Sequence, residues 1–599
     1  MRVLWVRTGL VAALLTSVAP CAFAQAQDTS PPIRRSQDVT VTATVTPIAP
    51  EWAGRTVISL SAADMARLGI RSLADAARLA PGVDVRARAP FDVQTDYSIR
   101  GATFGQSLVL IDGLRLNDSQ SGHHNGDIPA MLAGVDRIEI ATGPGSAAHG
   151  ADALGGTINV ITRRDAHLGA TFATGEHGYV NGQFSAQGAG LPSWLNLSVW
   201  GARSGGFEEG REFAQGGASV DLKLGGGWTM GVRHVNKAFG AKNFYGPSPS
   251  KEWTDQTLAS AVWRRGSGQW TNIVETFARN HGDHFRWDVN RPGFAENTHR
   301  TNAGEGRYRA QRMFDSGAAL SLGGGGGGDW VRSSNLGDHN YGRAHAFAEL
   351  QQPLGDRALV TAGARFDTYS TFGESFNPSL SGVWQLTERL RVRSSVARAF
   401  RVPTYTELYY HDPANLGSPD LKAEYGWSLD GGIEWTESGW TLGATPFIRW
   451  DHDVIDWVRA SPAELWRTTN LRDVTSHGVE FSLQRHWSSA LVRGHVSLLD
   501  VEAPSVNTLS KYVLEYAKQS VGVMASTPFG RGVQGAVTID YRHRADGQKY
   551  TLLGAKLGYT IKRAELFVDG TNLLNETYHE IAGVSMPGRW MTIGLTIRN

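Results

Sequence analysis

Cysteine is almost missing from this chain: 599 residues contain one, Cys21. A single thiol closes no internal disulfide and builds no multi-thiolate metal centre, so stability and chemistry come from elsewhere. Excess charge of either sign is missing too, with 58 Lys and Arg against 57 Asp and Glu, and with it the basic footprint of a nucleic-acid binder. Beyond the first 24 residues no run of 18 apolar residues occurs, which excludes a later transmembrane helix. The patterns G-x-x-x-x-G-K-[ST], H-E-x-x-H and G-x-S-x-G are absent, leaving neither a phosphate-cradling loop nor a familiar hydrolytic centre.

What is present begins with an export signal. Residues 1–24 carry Arg2 and Arg7, an apolar stretch over 9–19, and Ala22, Phe23 and Ala24 as an A-x-A cleavage site. The rival is a lipoprotein signal ending at Cys21, but Pro20 is a poor residue before a lipidated cysteine. Cleavage after Ala24 removes the sole cysteine, and with it any thiolate nucleophile. The composition has 71 glycines and 10% aromatics, with hydrophobic residues at only 41%. A membrane barrel has this texture, because lipid-facing apolar residues alternate with polar lumen residues.

The texture changes near residue 165. Over 50–164 the chain reads as a compact α/β unit. Ser61 opens one short helix (DMARLGI) and Ser72 another (LADAARL), which halts at Pro81 and Gly82. Residues 107–113, 135–140 and 157–162 read as strands. Over 165–599, segments of about ten residues alternate apolar and polar positions between Gly, Pro, Asn and Asp clusters. Leu195, Leu197 and Val199 alternate with Asn196 and Ser198; Val479, Phe481 and Leu483 alternate with Glu480, Ser482 and Gln484. A propeller or sandwich also alternates, but charged side chains inside strands suit a hydrated lumen better. The length of 165–599 fits an all-β transmembrane barrel of about 22 antiparallel strands, with the α/β unit as a companion. The six glycines at 323–328 are expected within a strand or turn rather than in a linker.

Residues 36–47, SQDVTVTATVTP, place Val39, Val41, Ala43 and Val45 in alternation with threonines, with no obvious hairpin mate. β-branched residues at period two favour an extended strand whose free edge can pair with another chain. Residues 25–49 are therefore read as an N-terminal segment carrying a pairing strand, with a fraying edge strand as the alternative.

Several stretches together resemble TonB-dependent outer-membrane receptors. DVTVTAT (38–44) resembles the Ton box; SIRGA (98–102), VLIDGLRLND (109–118) and DRIEIATGPGSAAHGADALGGTINVITRR (136–164) resemble the plug domain. RVPTYTELYYHDPANLGSPDLKAE (401–424), GVEFSL (478–483) and the ending 569–599 are similar to the family's barrel. NDSQSGHHNGDIP (117–129), FGAKNFYGP (239–247) and MPGRW (586–590) look most like the cobalamin (vitamin B12) receptor type. One departure stands at the end, where Asn599 occupies the face that carries an aromatic residue in family barrels.

The resemblance implies the following. The barrel lies in the outer membrane of a Gram-negative bacterium, in contact with its lipid, as a monomer. It imports a large scarce nutrient, cobalamin or another corrinoid first, with a ferric siderophore or haem as the alternative; a passive pore or a secreted β-rich enzyme is the reading from another class. The work comes from periplasmic TonB, which pairs with Asp38, Val39, Thr40, Val41, Thr42, Ala43 and Thr44 by strand addition. Ligand contacts are expected from Ser119, Gln120, His123, His124 and Asn125 of the plug and from Phe244, Tyr245, Tyr409, Tyr410, His411 and Trp457 of long loops, whose aromatic faces and polar tips suit a corrinoid. Arg100, Arg137 and Glu139 are expected in ion pairs that hold plug to barrel. No catalytic residue, cofactor or protein-bound metal is expected. Adjacent histidines in a strand would face opposite sides, and Asp283, His284, Asp451, His452 and Asp453 read as hydrated loop residues.

Overall fold

The computed structural model describes residues 40–188, 191–503 and 508–598. Residues 167–598 close into a barrel of 22 antiparallel strands, running from His167–Gly175 to Trp590–Arg598, which pair with each other to complete the cylinder. The alternation in the sequence sorts the wall's two faces. Asn196 and Glu480 are buried toward the interior, whereas Val199 and Phe481 are exposed on the outside with Leu380, Ile433, Leu557 and Ile593. An outward apolar band over a polar lumen is what a lipid-embedded barrel requires. Among the described residues no helix is long and apolar enough to cross a membrane.

The two ends of the barrel differ. At one, strands turn within two residues, as at 268–269, 438–439, 531–532 and 562–563; at the other, long loops occupy 241–250, 287–295, 402–423 and 572–589. The glycine run lies inside strand Ala319–Ser333. There a Cβ on Gly327 would come within 1.9 Å of the Gly304 carbonyl oxygen, so this wall admits no side chain at that point.

The plug fills the lumen. Its sheet runs in the order Val57–Ser61, Val135–Thr142, Gly156–Thr162, Ser107–Ile111 and Leu114–Arg115. The expected helices are Ala62–Leu68 and Leu73–Ala77, capped by Ser61 and Ser72, whose hydroxyls accept from the Asp64 and Asp75 amides. They cover one face of the sheet, closing a core around Leu60, Met65, Leu73, Val109, Ile138 and Ile158.

Three expectations need correcting. Asp38 and Val39 lie outside the described residues, as do the proposed signal (1–24) and Asn599, but residues 40–44 are not an extended strand. They run through bends, closed by a bridge between Thr40 and Ile48, and are mostly buried. The cause is Glu139, whose Oε2 accepts from Thr40 Oγ1 (2.9 Å), the Val41 amide (3.0 Å) and Thr42 Oγ1 (2.6 Å). These donors are held by a side chain instead of a neighbouring strand. Secondly, Arg137 bonds Glu139 and Asp136, both within the plug, and Glu139 thereby organises the N-terminal segment rather than a plug-to-barrel contact. Arg100 reaches Glu480 and Asp430 of the wall. Thirdly, Asp283 and His284 lie within strand Trp270–Arg286, and Asp451, His452, Asp453 and Trp457 within strand Trp440–Arg459, not in loops, whereas His123 and His124 occupy the 3-10 turn Gly122–His124.

Candidate functional site

The plug segment 117–129 sits at the long-loop end, fixed from both sides. From below, Asn117 Oδ1 accepts from the Val109 amide at 2.8 Å, tying the segment to the plug sheet. From above, the Tyr405 and Thr406 amides donate to the Ser119 and Gln120 carbonyls at 2.8 and 2.9 Å. Those amides open the short helix Tyr405–Tyr409, which Thr404 and Glu407 cap reciprocally. Arg401 reaches both Glu407 and Glu424, and Glu424 accepts in turn from Gln106 of the plug. The stretch from 401 to 424 is thus the clasp between one long loop and the plug.

Above this segment lies a cavity of about 180 Å³. Of the residues expected at the ligand, Gln120, His123, His124, Tyr245, Tyr410 and Trp457 line it. The other five do not. Ser119 and Asn125 line a small neighbouring cleft of about 10 Å³, where Asn125 accepts from the Asp118 amide. Phe244 packs with Phe239 and Arg211 in an apolar cluster. Tyr409 stacks on His339 at 3.7 Å between ring centres, and His411 is bound through its backbone to Asn335.

The sequence reading missed Phe104, Glu252, Phe285, Trp287, His299, Asp412, Lys511 and Tyr512, which also line the cavity. Phe285 reaches the cavity through the pairing of strands Lys251–Ser267 and Trp270–Arg286, which sets it opposite Glu252 and 5.4 Å from the Tyr245 ring, and no sequence signal marks that register. Asp283 enters the cavity too, whereas His284 stacks on Trp253 and pairs with Glu296 outside it. Asp451 is held by Arg449, and His452 by Asp473, so these groups do not converge.

The two histidines separate by partner. His123 stacks on Phe104 (4.2 Å) and its Nδ1 lies 2.9 Å from Asp96. Burial pushes its pKa down to about 4, against the pull of Asp96. His124 has Asp127 on its Nδ1 side at 3.5 Å and Asp283 on its Nε2 side at 3.4 Å. Burial opposes charge there, but the hydrogen bonds to Asp127 and Asp283 outweigh it and raise the pKa well above the ordinary value. Lys511 sits beside Trp457, Trp466 and Tyr512, with Nζ between 5.4 and 5.8 Å from each ring centre. Burial, helped by Arg88, lowers its pKa to about 8 despite Asp412 and Asp456.

The N-terminal segment occupies the opposite end. Glu349, six residues before the three-residue turn 355–357, accepts from the Val45 and Thr46 amides at 2.8 Å each. A cavity of about 280 Å³ runs between plug helix Ala62–Leu68 and the wall near this end. It shares Gly69, Ile70 and Arg71 with another of about 150 Å³ that continues toward Trp590.

A lipid-facing barrel, a plug across its lumen, a cavity above and a tethered segment below together define a plugged outer-membrane receptor. Residues 155–573 match the family described as TonB dependent receptor-like, beta-barrel, and residues 53–157 match the TonB-dependent receptor plug domain; the chain belongs to the TonB-dependent receptor family. Its members are outer-membrane proteins of Gram-negative bacteria that act as transporters and receptors with TonB.

Two curated relatives are similar over most of the chain. The chain is 26% identical over 526 residues to the vitamin B12 transporter BtuB of Vibrio vulnificus, covering 79% of this chain and 78% of that one. It is 25% identical to the iron-regulated outer membrane virulence protein of Vibrio cholerae, covering 78% and 76%. Among solved structures, the siderophore receptor PirA of Acinetobacter baumannii shares the fold with a TM-score of 0.74 at 14% identity, covering 91% of this chain and 98% of that one. The ferric enterobactin receptor PfeA of Pseudomonas aeruginosa does so at 0.73 and 18%, covering 94% and 100%.

Proposed function

We propose that this receptor imports cobalamin or a related corrinoid, as a monomeric transporter with no catalytic site, and that TonB drives it through residues 38–44. The observation that carries the ligand class is the cavity's charge. Among the described residues lining it, Lys511 is the one lysine or arginine and His124 a histidine held charged, against the four carboxylates of Glu252, Asp283, Glu407 and Asp412. A ferric tris-catecholate carries several negative charges and meets repulsion there. A corrinoid presents an uncharged amide fringe and broad apolar faces, matched by Tyr245, Phe285, Trp287, Tyr410 and Trp457. At about 180 Å³ the cavity is smaller than typical ligand sites, so it receives one edge of a large solute while the long loops cover the rest. The relatives named as vitamin B12 transporters support the same reading.

Uptake of an iron chelate is the second reading, supported by the relative named as iron-regulated and by the siderophore receptors that share the fold. Binding isotherms on the purified receptor separate the two. Saturable cyanocobalamin binding that Trp457→Ala weakens is expected; saturable binding of a ferric chelate alone overturns the corrinoid reading.

In the transport step, residues 40–44 first leave Glu139 and then add as a strand to TonB, whose pull is transmitted to the plug sheet through strand Val135–Thr142. Side-chain identity matters little in strand addition, and extended backbone geometry matters much.

A further inference from the structure

On the cavity floor, His124, Glu252 and Asp283 each present a ligating atom, all within 4.8 Å of one another, and all three side chains are buried. His124 comes from the plug, and the carboxylates come from two adjacent barrel strands, Lys251–Ser267 and Trp270–Arg286. We propose that these three groups form a binding site for a divalent first-row transition ion of the zinc class, with a further coordination position open to the cavity.

Three features point to a cation here. The separation of His124 Nε2 and Asp283 Oδ2 is 3.4 Å. Two donors about 2.0–2.1 Å from one ion at a tetrahedral angle stand about 3.3 Å apart. Apart from the His124 imidazole, whose Nε2 proton a metal would displace, the carboxylates also have little compensation. Asp283 Oδ1 is buried and has no hydrogen-bond partner, Asp283 Oδ2 accepts from Gln120 at 2.8 Å, and Glu252 accepts from Tyr245 at 3.3 Å. Buried carboxylates are normally paired or metal-bound. Finally, the histidine is oriented from behind. Its Nδ1 faces Asp127, which is fixed by Lys237 (2.9 Å) and by His281 (3.0 Å). A carboxylate on one imidazole nitrogen fixes the tautomer that offers the other nitrogen to a metal.

The same arrangement selects between two overlapping clusters. His124, Asp127 and His281 also converge, but the Lys237 ammonium already neutralises Asp127, and a second cation there is repelled. The cluster on the cavity side has no lysine or arginine salt bridge to either carboxylate among the described residues. His299 lines the same cavity, and its Nδ1 is engaged by Ser333 at 2.7 Å, which leaves Nε2 as a candidate fourth donor. The site does not depend on the corrinoid reading: an ion with an open position accepts a donor atom from whatever solute enters.

The test uses the full receptor in detergent, stripped with a chelator and titrated with zinc chloride by calorimetry, then with cobalt chloride to read the visible spectrum. His477→Ala is introduced throughout, because His477, Asp500 and Glu502 form a separate exposed cluster. One equivalent of zinc, a tetrahedral cobalt band, and at least tenfold weaker binding in both Glu252→Gln and Asp283→Asn are expected. Asp127→Asn is expected to weaken binding by roughly tenfold to a hundredfold while keeping the stoichiometry. Heat-modifiable migration confirms that each variant barrel is folded. Absence of stoichiometric binding, or equal affinity in the folded Glu252→Gln and Asp283→Asn variants, overturns the proposal. Cyanocobalamin isotherms on the same preparations score the corrinoid reading separately.

Discussion

Arg100 of the plug and Glu480 of the barrel wall, 380 residues apart in sequence, meet fork to fork: Nε lies 2.9 Å from Oε1 and Nη2 lies 2.8 Å from Oε2. Asp430 stands 3.5 Å from the same guanidinium and the Phe447 ring lies 4.3 Å away, so the charge is enclosed on every side. A bidentate pair of this kind fixes orientation as well as contact.

Removing one partner leaves buried charge behind. Arg100→Ala strands Glu480 and Asp430 and is expected to cost plug docking about 3–5 kcal/mol. Hydrogen exchange over strand Gln94–Ile99 should accelerate and cells should become sensitive to large antibiotics, while the barrel keeps its heat-modifiable migration. Unchanged exchange in that strand would mean that the pair does not hold the plug.

Glu139 is the latch on the N-terminal segment. Its carboxylate accepts three hydrogen bonds from residues 40–42, and charge-assisted bonds contribute about 1.5–3 kcal/mol each. Glu139→Ala is expected to shift the segment from docked to free by at least roughly thirtyfold, equivalent to about 2 kcal/mol. A spin label on Val41→Cys reports this as a mobile spectrum without ligand, where the parent with Glu139 intact gives an immobile one. The His149 and Arg55 contacts to the Thr42 carbonyl, at 2.9 and 3.0 Å, set the ceiling on that release.

Lys511 gives the site a pH dependence of definite sign. Its folded-state pKa is about 8, so the ammonium is present below that value and lost as pH rises through it. A corrinoid's nucleotide phosphodiester is the group such a cation would meet. Cyanocobalamin affinity is therefore expected to fall by about tenfold between pH 7 and 9.5. Lys511→Met should bind weakly at both pH values and show a flat profile; a pH dependence that survives the substitution would assign the titration elsewhere.

The barrel was legible because period-two alternation is a direct image of its two solvents: Glu480 and Phe481 are adjacent in sequence and face lumen and lipid. Ser61 and Ser72 marked the plug helices because a cap is a local hydrogen bond. The site was half legible. Gln120, His123 and His124 lie on one short segment with a recognisable pattern, but Glu252 looks like any polar strand residue and Asp283 like a hydrated loop residue until the wall's register sets them opposite the plug. The N-terminal segment misled for a related reason. Its alternating Val and Thr favour a strand locally, and the Glu139 carboxylate that competes for those donors comes from 98 residues away.

The central claim is that a solute held at the long-loop end moves only when the segment at the short-turn end is gripped as a strand. Val41→Pro tests it most directly, because proline removes one strand hydrogen bond and the amide that Glu139 holds. Radiolabelled cyanocobalamin binding and uptake are measured in the same cells. The account predicts binding within about twofold of the parent receptor and uptake at the level of cells lacking it; uptake at the parent rate would contradict it.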